Sequence, residues 1–197
     1  MIYVMHPDIS RFKSFVIDSK EARRKLGSDT MFHFDQRPLA YLNVWQPLEI
    51  EFAKLSSSRK LSLPDVVVRD GRMFLNKTSY EVLYDLLKGC GEFLPITYGG
   101  EKGYLFNILS LADACGGLNK KLSTKDQYGD IQSLAFYEEV LQSMPVFRTE
   151  FDRYMGIYCT ENFKHKFEDA GLCGIIFSND LGNIFPPDNM AEKPTRH

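Results

Sequence analysis

The sequence predicts an α+β fold with a mixed β-sheet, a few packed helices and two similar strand-helix-strand units. The main observation is a pattern that occurs twice: an apolar strand, a polar helix start, an amphipathic helix, a glycine and a second strand. The first copy covers residues 74–94 and the second covers residues 157–177. Elsewhere, short β-like runs alternate with glycine-rich turns, which is typical of antiparallel pairing.

Aromatic side chains recur at helical spacing in both copies. Tyr80 and Tyr84 lie on the first predicted helix, and Phe163 and Phe167 take the matching places on the second. Burial of one such side chain contributes about 1.5–3 kcal/mol. We therefore expect both pairs to anchor their helices on a sheet.

The N-terminal portion, residues 1–60, is predicted to contain both strand and helix. An apolar run at residues 2–5 predicts an opening strand. Residues 19–26 are rich in helix formers and lie between Asp18, a capping residue type, and Gly27. A short helix is therefore expected there.

Two further β-like runs and a polar loop complete this portion. Residues 41–45 favour a strand, and alternation at 48–53 is typical of a half-buried strand. The polar stretch 56–60 is the expected boundary with a core at residues 61–185. Residues 186–197 are expected to form a flexible tail on one compact domain.

The core is predicted to begin with a hairpin that leads into a helix. A strand is expected at residues 66–68, an Asp-Gly turn at 70–71 and a second strand at 73–75. Either Asn76 or Thr78 can cap the helix that follows.

A second hairpin is predicted in the middle of the core. Residues 93–98 and 104–109 flank the glycine-rich loop 99–103, which lacks the Gly-Lys-Ser/Thr ending of a phosphate-binding loop. Residues 116–130 are polar and are expected to form a loop. A strand at 154–159 then leads into the second copy of the pattern.

Composition narrows the function classes. The chain has 197 residues, 44% of them hydrophobic and 25% charged, which is ordinary for a soluble globular protein. A net charge of −2 argues against a general nucleic-acid or membrane binder. The four cysteines form no close pair, so we expect reduced thiols and a cytoplasmic location.

Acidic residues are concentrated between positions 126 and 152, where Arg148 is the single basic residue. The pattern fits either a solvated face or a docking face for a basic partner. The six candidate partner-binding residues are Asp126, Asp130, Glu138, Glu139, Glu150 and Asp152.

No catalytic, cofactor-binding or metal site is predicted. The four histidines are scattered, and His165 reads as a surface residue of the second helix. Cys90 and Cys173 take equivalent places in the two copies, which favours a packing role. Cys159 precedes a helix, where the pKa of a thiol can be lowered, but the same place suits a small buried residue.

Four blocks of the chain resemble a family of bacterial immunity proteins from polymorphic toxin systems, the family named for a myxobacterial immunity protein. Asn76 stands where that family often has serine, and both residue types cap helices. Residues 1–60 match the family only loosely. The blocks are residues 63–67 (LPDVV), 74–87, 92–109 with 112–114, and 156–177.

The resemblance implies a protein that binds and neutralises a cognate secreted bacterial toxin by stoichiometric contact, without catalytic residues or a cofactor. The expected partner is the toxin, and neither nucleic acid nor a membrane is expected. If the toxin is a nuclease, the six acids are expected to steer it by its basic active site. One alternative is a small cytoplasmic enzyme, either one that uses the thiol of Cys159 or Cys173 or a hydrolase that reverses toxin damage. The other alternative is a general adaptor without a toxin partner.

Overall fold

Two β-sheets form the centre of the protein in a computed structural model, which describes residues 1–54 and 61–184. The strands of the described residues are β1 (Ile2–Pro7), β2 (Ser14–Val16), β3 (Leu48–Glu49), β4 (Glu51–Ala53), β5 (Val66–Arg69), β6 (Arg72–Leu75), β7 (Gly91–Tyr98), β8 (Glu101–Ile108), β9 (Thr124–Lys125), β10 (Ile131–Ser133), β11 (Val146–Phe147), β12 (Tyr158–Thr160) and β13 (Ile175–Ser178). The helices are α1 (Ser19–Leu26), α2 (Lys77–Leu87), α3 (Glu138–Leu141) and α4 (Glu161–Asp169).

The larger sheet has the strand order β3-β7-β8-β6-β5, in which only the β3–β7 pair is parallel. The smaller sheet has the order β11-β12-β1-β13 and is antiparallel throughout. Two short pairs, β2–β4 and β9–β10, lie outside these sheets. The predicted α+β class, with a mixed sheet and a few helices, is confirmed.

The two predicted units, β6-α2-β7 and β12-α4-β13, have the same topology. In each unit the two strands are parallel to each other and leave a gap that one antiparallel strand fills. Strand β8, which follows its unit in the chain, fills the first gap. Strand β1, from the N-terminal portion, fills the second gap and lies between β12 and β13.

The main core lies where α2 and α4 pack on the two sheets. Leu83 and Leu87 of α2 join Phe163 and Phe167 of α4 in one cluster of buried side chains. The opposite face of the larger sheet is covered by N-terminal residues, among them Phe15, Phe32 and Ile50. The opposite face of the smaller sheet is covered by residues of the 112–141 stretch, among them Leu118, Leu134, Phe136 and Leu141.

The Asp65 side chain connects the two units. Its carboxylate accepts hydrogen bonds from Asn76 Nδ2 at 2.7 Å and from the Cys173 amide and thiol at 3.0 and 2.9 Å. Asn76 in turn caps α2, because its Oδ1 accepts the Ser79 amide at 2.8 Å. The cap of one unit and the helix-to-strand corner of the other therefore depend on the same carboxylate.

The glycines at matching places in the two units make close backbone contacts. A Cβ atom on Gly91 would lie 2.0 Å from the Asn107 carbonyl oxygen, and one on Gly174 would lie 2.1 Å from the Val66 carbonyl oxygen. Gly174 also has a φ of 112°, which L-residues rarely adopt. Sterics therefore explain this part of the repeated pattern.

Three of the predicted strands differ from those in the structure. Residues 41–45 form a 3-10 turn at Leu42–Val44 in place of a strand. The run 48–53 divides between β3 and β4, which pair with different strands. The strand expected at 154–159 begins only at Tyr158, because turns occupy the preceding residues.

The aromatic stripes of the two helices differ in burial. Phe163 and Phe167 are buried, as predicted. On α2 the buried face holds Ser79, Leu83 and Leu87, so the core-anchor prediction is wrong for Tyr84, which is 41% exposed. Tyr80 and Tyr84 form an aromatic group at the sheet surface with Phe93 and Tyr104.

The second hairpin turns at Gly99 and Gly100 alone, so its loop is shorter than the predicted five residues. The expected boundary at 56–60 and the expected tail at 186–197 lie outside the described residues.

Candidate functional site

A cleft of about 810 Å³ lies between the β9–β10 hairpin, the loop from β11 to β12 and the turn after β13. We call it the hairpin cleft. Four exposed charged side chains line it: Lys125, Asp130, Arg153 and Asp180. A fifth charged residue, Asp152, lines it as well and is only 4% exposed.

Neutral donors hold the Asp152 carboxylate. Its Oδ2 accepts hydrogen bonds from the Gly156 amide at 2.7 Å and from the Tyr158 hydroxyl at 2.8 Å. Its Oδ1 is buried and has no hydrogen-bond partner among the described residues. Burial raises the pKa of Asp152, and the Tyr158 hydroxyl and the nearby amides of Gly156, Tyr154 and Met155 oppose that rise.

The loop that carries Asp152 has a strained backbone. Arg153 and Tyr154 have φ values of 60° and 64°, two consecutive non-glycine residues in the left-handed region. Their amides bond the carbonyl oxygens of Glu150 at 2.9 Å and Thr149 at 3.0 Å, which holds the turn. Such strain persists only where surrounding contacts determine it, and it is common at functional sites.

The six predicted acids do not all line one site. Asp130 and Asp152 line the hairpin cleft. Asp126 supports the hairpin, because its Oδ1 accepts the amides of Tyr128 at 2.8 Å and Asp130 at 2.9 Å. Glu150 is exposed in the loop that also carries Asp152.

The other two acids, Glu138 and Glu139, begin helix α3. The Glu138 carboxylate pairs with the N-terminal amine at 2.9 Å and lines a different, smaller pocket. The acids of the 126–152 window therefore lie in two separate places, the region of the hairpin cleft and the start of α3. Their role in partner binding stays a prediction.

The thiols named in the enzyme alternative do not meet the needs of a nucleophile. Cys159 is fully buried, and that burial raises its pKa well above the ordinary value. Burial and the hydrogen bond to Asp65 also raise the pKa of Cys173. Because the thiolate is the reactive form, the surroundings of both residues disfavour thiol catalysis.

A second candidate surface lies on the N-terminal portion, for which the sequence predicted no site. Five large apolar side chains between residues 31 and 44 are between 42% and 60% exposed. We call residues 31–44 the apolar segment. The exposed side chains are those of Met31, Phe34, Leu39, Leu42 and Val44.

Side chains of the larger sheet hold the backbone of the apolar segment. The Glu92 carboxylate accepts the amides of Tyr41 at 2.9 Å and Leu42 at 3.2 Å. Asn107 Nδ2 donates to the Leu39 carbonyl oxygen at 2.8 Å and to Glu92 at 3.1 Å. The segment has little regular secondary structure, yet these polar groups determine its conformation.

Two buried arginines complete this support. Arg72 donates to the Asp35 carbonyl oxygen at 2.9 Å, and its guanidinium lies 3.9 Å from the centroid of the Phe32 ring. Arg148 donates to the Gln36 carbonyl oxygen. Both arginines are 1% exposed, and burial lowers the pKa of each to about 10. Two largely desolvated guanidinium groups thus stabilise the backbone of the segment at residues 35 and 36.

The available sequence signal for this surface was weak. Apolar and polar residues follow one another in it without a regular period. Its conformation depends on hydrogen-bond partners more than 30 residues away. Only the high density of apolar residues on both sides of Pro38 could have indicated it.

No family model matches the chain, and no curated protein matches it. Within residues 1–54 and 61–184, no helix is long and apolar enough to cross a membrane. The same residues contain no group of three or more histidine, cysteine, aspartate or glutamate side chains placed to hold a metal ion.

Proposed function

We propose that this chain is an immunity protein that binds a cognate secreted bacterial toxin and neutralises it by stoichiometric contact. The resemblance of residues 63–177 to that family suggests the role. The observation that carries the proposal is the apolar segment, whose exposed side chains stand on a backbone held by Glu92, Asn107 and the two buried arginines.

Exposed apolar side chains held in one conformation suit tight binding. Exposed apolar patches on soluble proteins often mark interaction surfaces. A segment that is ordered before binding loses little conformational freedom on association, so more of its contact energy becomes affinity. Phe34 and Leu42 are the best candidates for anchors, because each is more than half exposed.

The acids in and around the hairpin cleft are proposed to act on the rate of association. Asp126, Asp130 and Glu150 lie near the hairpin cleft or on its loops, where their field can steer a basic toxin surface. Charge reversal at the exposed residues Asp130 and Glu150 tests this part. An unchanged association rate at low salt contradicts it.

A cytoplasmic location is part of the proposal. The four cysteines are all free thiols, which is the usual state in a reducing compartment.

Co-expression with the neighbouring toxin gene tests the proposal. The partner to use is the product of the reading frame beside this gene that carries a toxin-like C-terminal region. We expect rescue of growth and a stable equimolar complex on a sizing column. Rescue at substoichiometric levels without a complex would contradict the proposal and support an enzyme that reverses toxin damage.

Substitution in the apolar segment locates the interface. We expect Phe34→Asp with Leu42→Asp to weaken the complex at least about a hundredfold, because two apolar anchors are lost. Leu122→Asp is the matched control, since Leu122 is 60% exposed and lies outside the segment. Equal affinity of both variants would exclude the apolar segment as the interface.

A further inference from the structure

The apolar segment lies in a positively charged part of a negatively charged protein. Residues 19–44, from the start of α1 to the end of the segment, have a net charge of +2. Their basic residues are Lys20, Arg23, Arg24, Lys25 and Arg37, and their acidic residues are Glu21, Asp29 and Asp35. The whole chain has a net charge of −2, so the other residues together carry −4. The surroundings of the segment therefore differ in sign from the rest of the protein.

Arg23 is a basic side chain of this part that no ion pair compensates. It lies in the last turn of α1, it is exposed, and it forms no ion pair in the described part of the chain. Two of the acids pair with other arginines instead, Glu21 with Arg24 and Asp35 with Arg37, each at 2.6 Å. The guanidinium group of Arg23 is therefore available to a carboxylate of a partner.

The charge of Arg23 acts on the apolar segment itself. Burial lowers the pKa of His33, and the nearby guanidinium groups of Arg23 and Arg72 lower it further. The His33 ring packs edge-to-face on the exposed Phe34, with 4.5 Å between the ring centroids. The segment thus combines exposed apolar side chains with a positive electrostatic field.

A buried guanidinium group adds to this field from below the segment. Arg72 donates to the carbonyl oxygens of Asp35 at 2.9 Å and Asp70 at 3.0 Å, which are neutral acceptors. The carboxylates of the same two residues offset its charge only in part, because they pair with Arg37 and Arg69. Since a buried charge is screened less than an exposed one, Arg72 contributes to the potential at the surface above it.

We propose that the apolar segment binds an apolar face of a protein partner whose rim carries carboxylate groups, one of which pairs with Arg23. Apolar contacts with Phe34 and Leu42 supply the affinity, and the carboxylates orient the partner and speed its association. Two copies of this chain that met face to face through the segment would bring like charges together, so a second copy is not the expected occupant. That the partner is the toxin rests on the function proposed above.

An anionic apolar dye tests the charge preference of the segment without the toxin. The probe is anilinonaphthalene sulfonate, titrated into the isotope-labelled full chain and located by amide chemical shifts. We expect shifts within residues 23–44 and binding about threefold weaker when the salt concentration is raised about tenfold. The neutral dye phenylnaphthylamine lacks the sulfonate, and salt is expected to change its binding little. No shift at these residues, or the same salt dependence for both dyes, overturns the proposal.

Charge reversal at Arg23 separates its role from the general charge of the protein. Because Arg23 is exposed, Arg23→Glu is expected to fold and to bind the anionic dye about threefold more weakly at low salt. Lys166→Glu is the matched control, since Lys166 is also exposed and lies in the last turn of α4, outside residues 19–44. Equal dye binding by the two variants refutes the role of Arg23.

The same variants test the partner in the complex with the toxin. We expect Arg23→Glu to slow association about threefold at low salt and Lys166→Glu to leave the rate unchanged. An unchanged rate with Arg23→Glu overturns the proposed partner chemistry and leaves the immunity role standing. Absence of any complex refutes that role, while the dye titration still decides whether the segment prefers acidic groups.

An anionic membrane is the other surface that combines apolar and acidic groups. Vesicles of phosphatidylglycerol and phosphatidylethanolamine represent it in a sedimentation assay. We expect the full chain to stay in the supernatant. Sedimentation with the vesicles that Arg23→Glu prevents would overturn a protein as the partner of the segment.

Discussion

At the scale of single residues, buried carboxylates in this protein differ according to the charge of their partners. Asp35 accepts three hydrogen bonds from the Arg37 guanidinium group, one at 2.6 Å and two at 3.0 Å, and these lower its pKa. Asp152 has only neutral donors, and burial raises its pKa. The ionised carboxylate thus stabilises the fold at Asp35 and destabilises it at Asp152.

These opposite pKa shifts predict opposite effects of pH on stability. The pKa of Asp152 is raised in the folded state, so its contribution is most favourable at low pH and decreases as the pH rises through its folded pKa. The pKa of Asp35 is lowered, so its contribution is present above the ordinary value of 3.8 and is lost as the pH falls through its folded pKa.

The measurement is the free energy of unfolding of the parent, Asp152→Asn and Asp35→Asn across the acidic range. The parent's stability relative to Asp152→Asn is expected to decrease with rising pH. Its stability relative to Asp35→Asn is expected to increase. If both stability differences change in the same direction as the pH rises, the environment of one of the two carboxylates is assigned wrongly.

At the scale of elements, the two split units depend on glycines at the corner between helix and strand. Gly91 and Gly174 follow α2 and α4, and both bring the backbone close to a carbonyl oxygen of a neighbouring strand. The repeated pattern therefore reflects two features that the units share. One is the steric requirement for glycine at this corner, and the other is the spacing of the apolar residues.

Alanine substitution at Gly91 tests this requirement. A Cβ atom there would lie 2.0 Å from the Asn107 carbonyl oxygen, so we expect Gly91→Ala to lower the free energy of unfolding by about 2 kcal/mol or more. Gly89→Ala, two residues earlier, meets nothing within 4 Å and is expected to be neutral or slightly stabilising. Chemical denaturation measures both, and equal effects would contradict the steric explanation.

Local signals predicted many elements correctly. Asp18 caps α1, Asn76 caps α2, and the Asp-Gly pair at residues 70–71 turns the first hairpin. The strand predicted at 41–45 failed because the Glu92 carboxylate, about 50 residues away, takes the amides that a strand would have used. A local pattern carries no information about such an acceptor.

At the scale of the whole molecule, the larger sheet supports an irregular surface segment by side-chain hydrogen bonds. Arg72, Asn107 and Glu92 come from three strands of that sheet or their ends and all bond the backbone of residues 35–42. The preorganisation on which the proposed function rests therefore belongs to the sheet as much as to the segment.

Hydrogen exchange measures this preorganisation. Glu92→Ala removes the acceptor of the Tyr41 and Leu42 amides, so we expect their exchange to become about tenfold faster or more. The amide of Ile50, which bonds the Thr97 carbonyl oxygen in the same region, is the internal control and is expected to keep its rate. Unchanged exchange at Tyr41 and Leu42 would show that other contacts order the segment.

The candidate sites were predictable only in part. The acidic window at 126–152 pointed to the part of the chain that forms the hairpin cleft, and Asp130 and Asp152 line it. Sequence position did not distinguish a buried Asp152 from an exposed Glu150, because the difference arises from the turn between them. The apolar segment had no periodic signal at all.

The sequence by itself determined the local elements: the two strand-helix-strand units, their caps and their tight turns, because these depend on residues close together in the chain. Only the tertiary structure decided that β8 lies between the two parallel strands of one unit and that β1 lies between those of the other. It also decided that Glu92 and two buried arginines hold the apolar segment and that Asp152 lies at the base of a cleft. The reason is that burial and hydrogen bonding between distant residues leave no periodic trace in the chain.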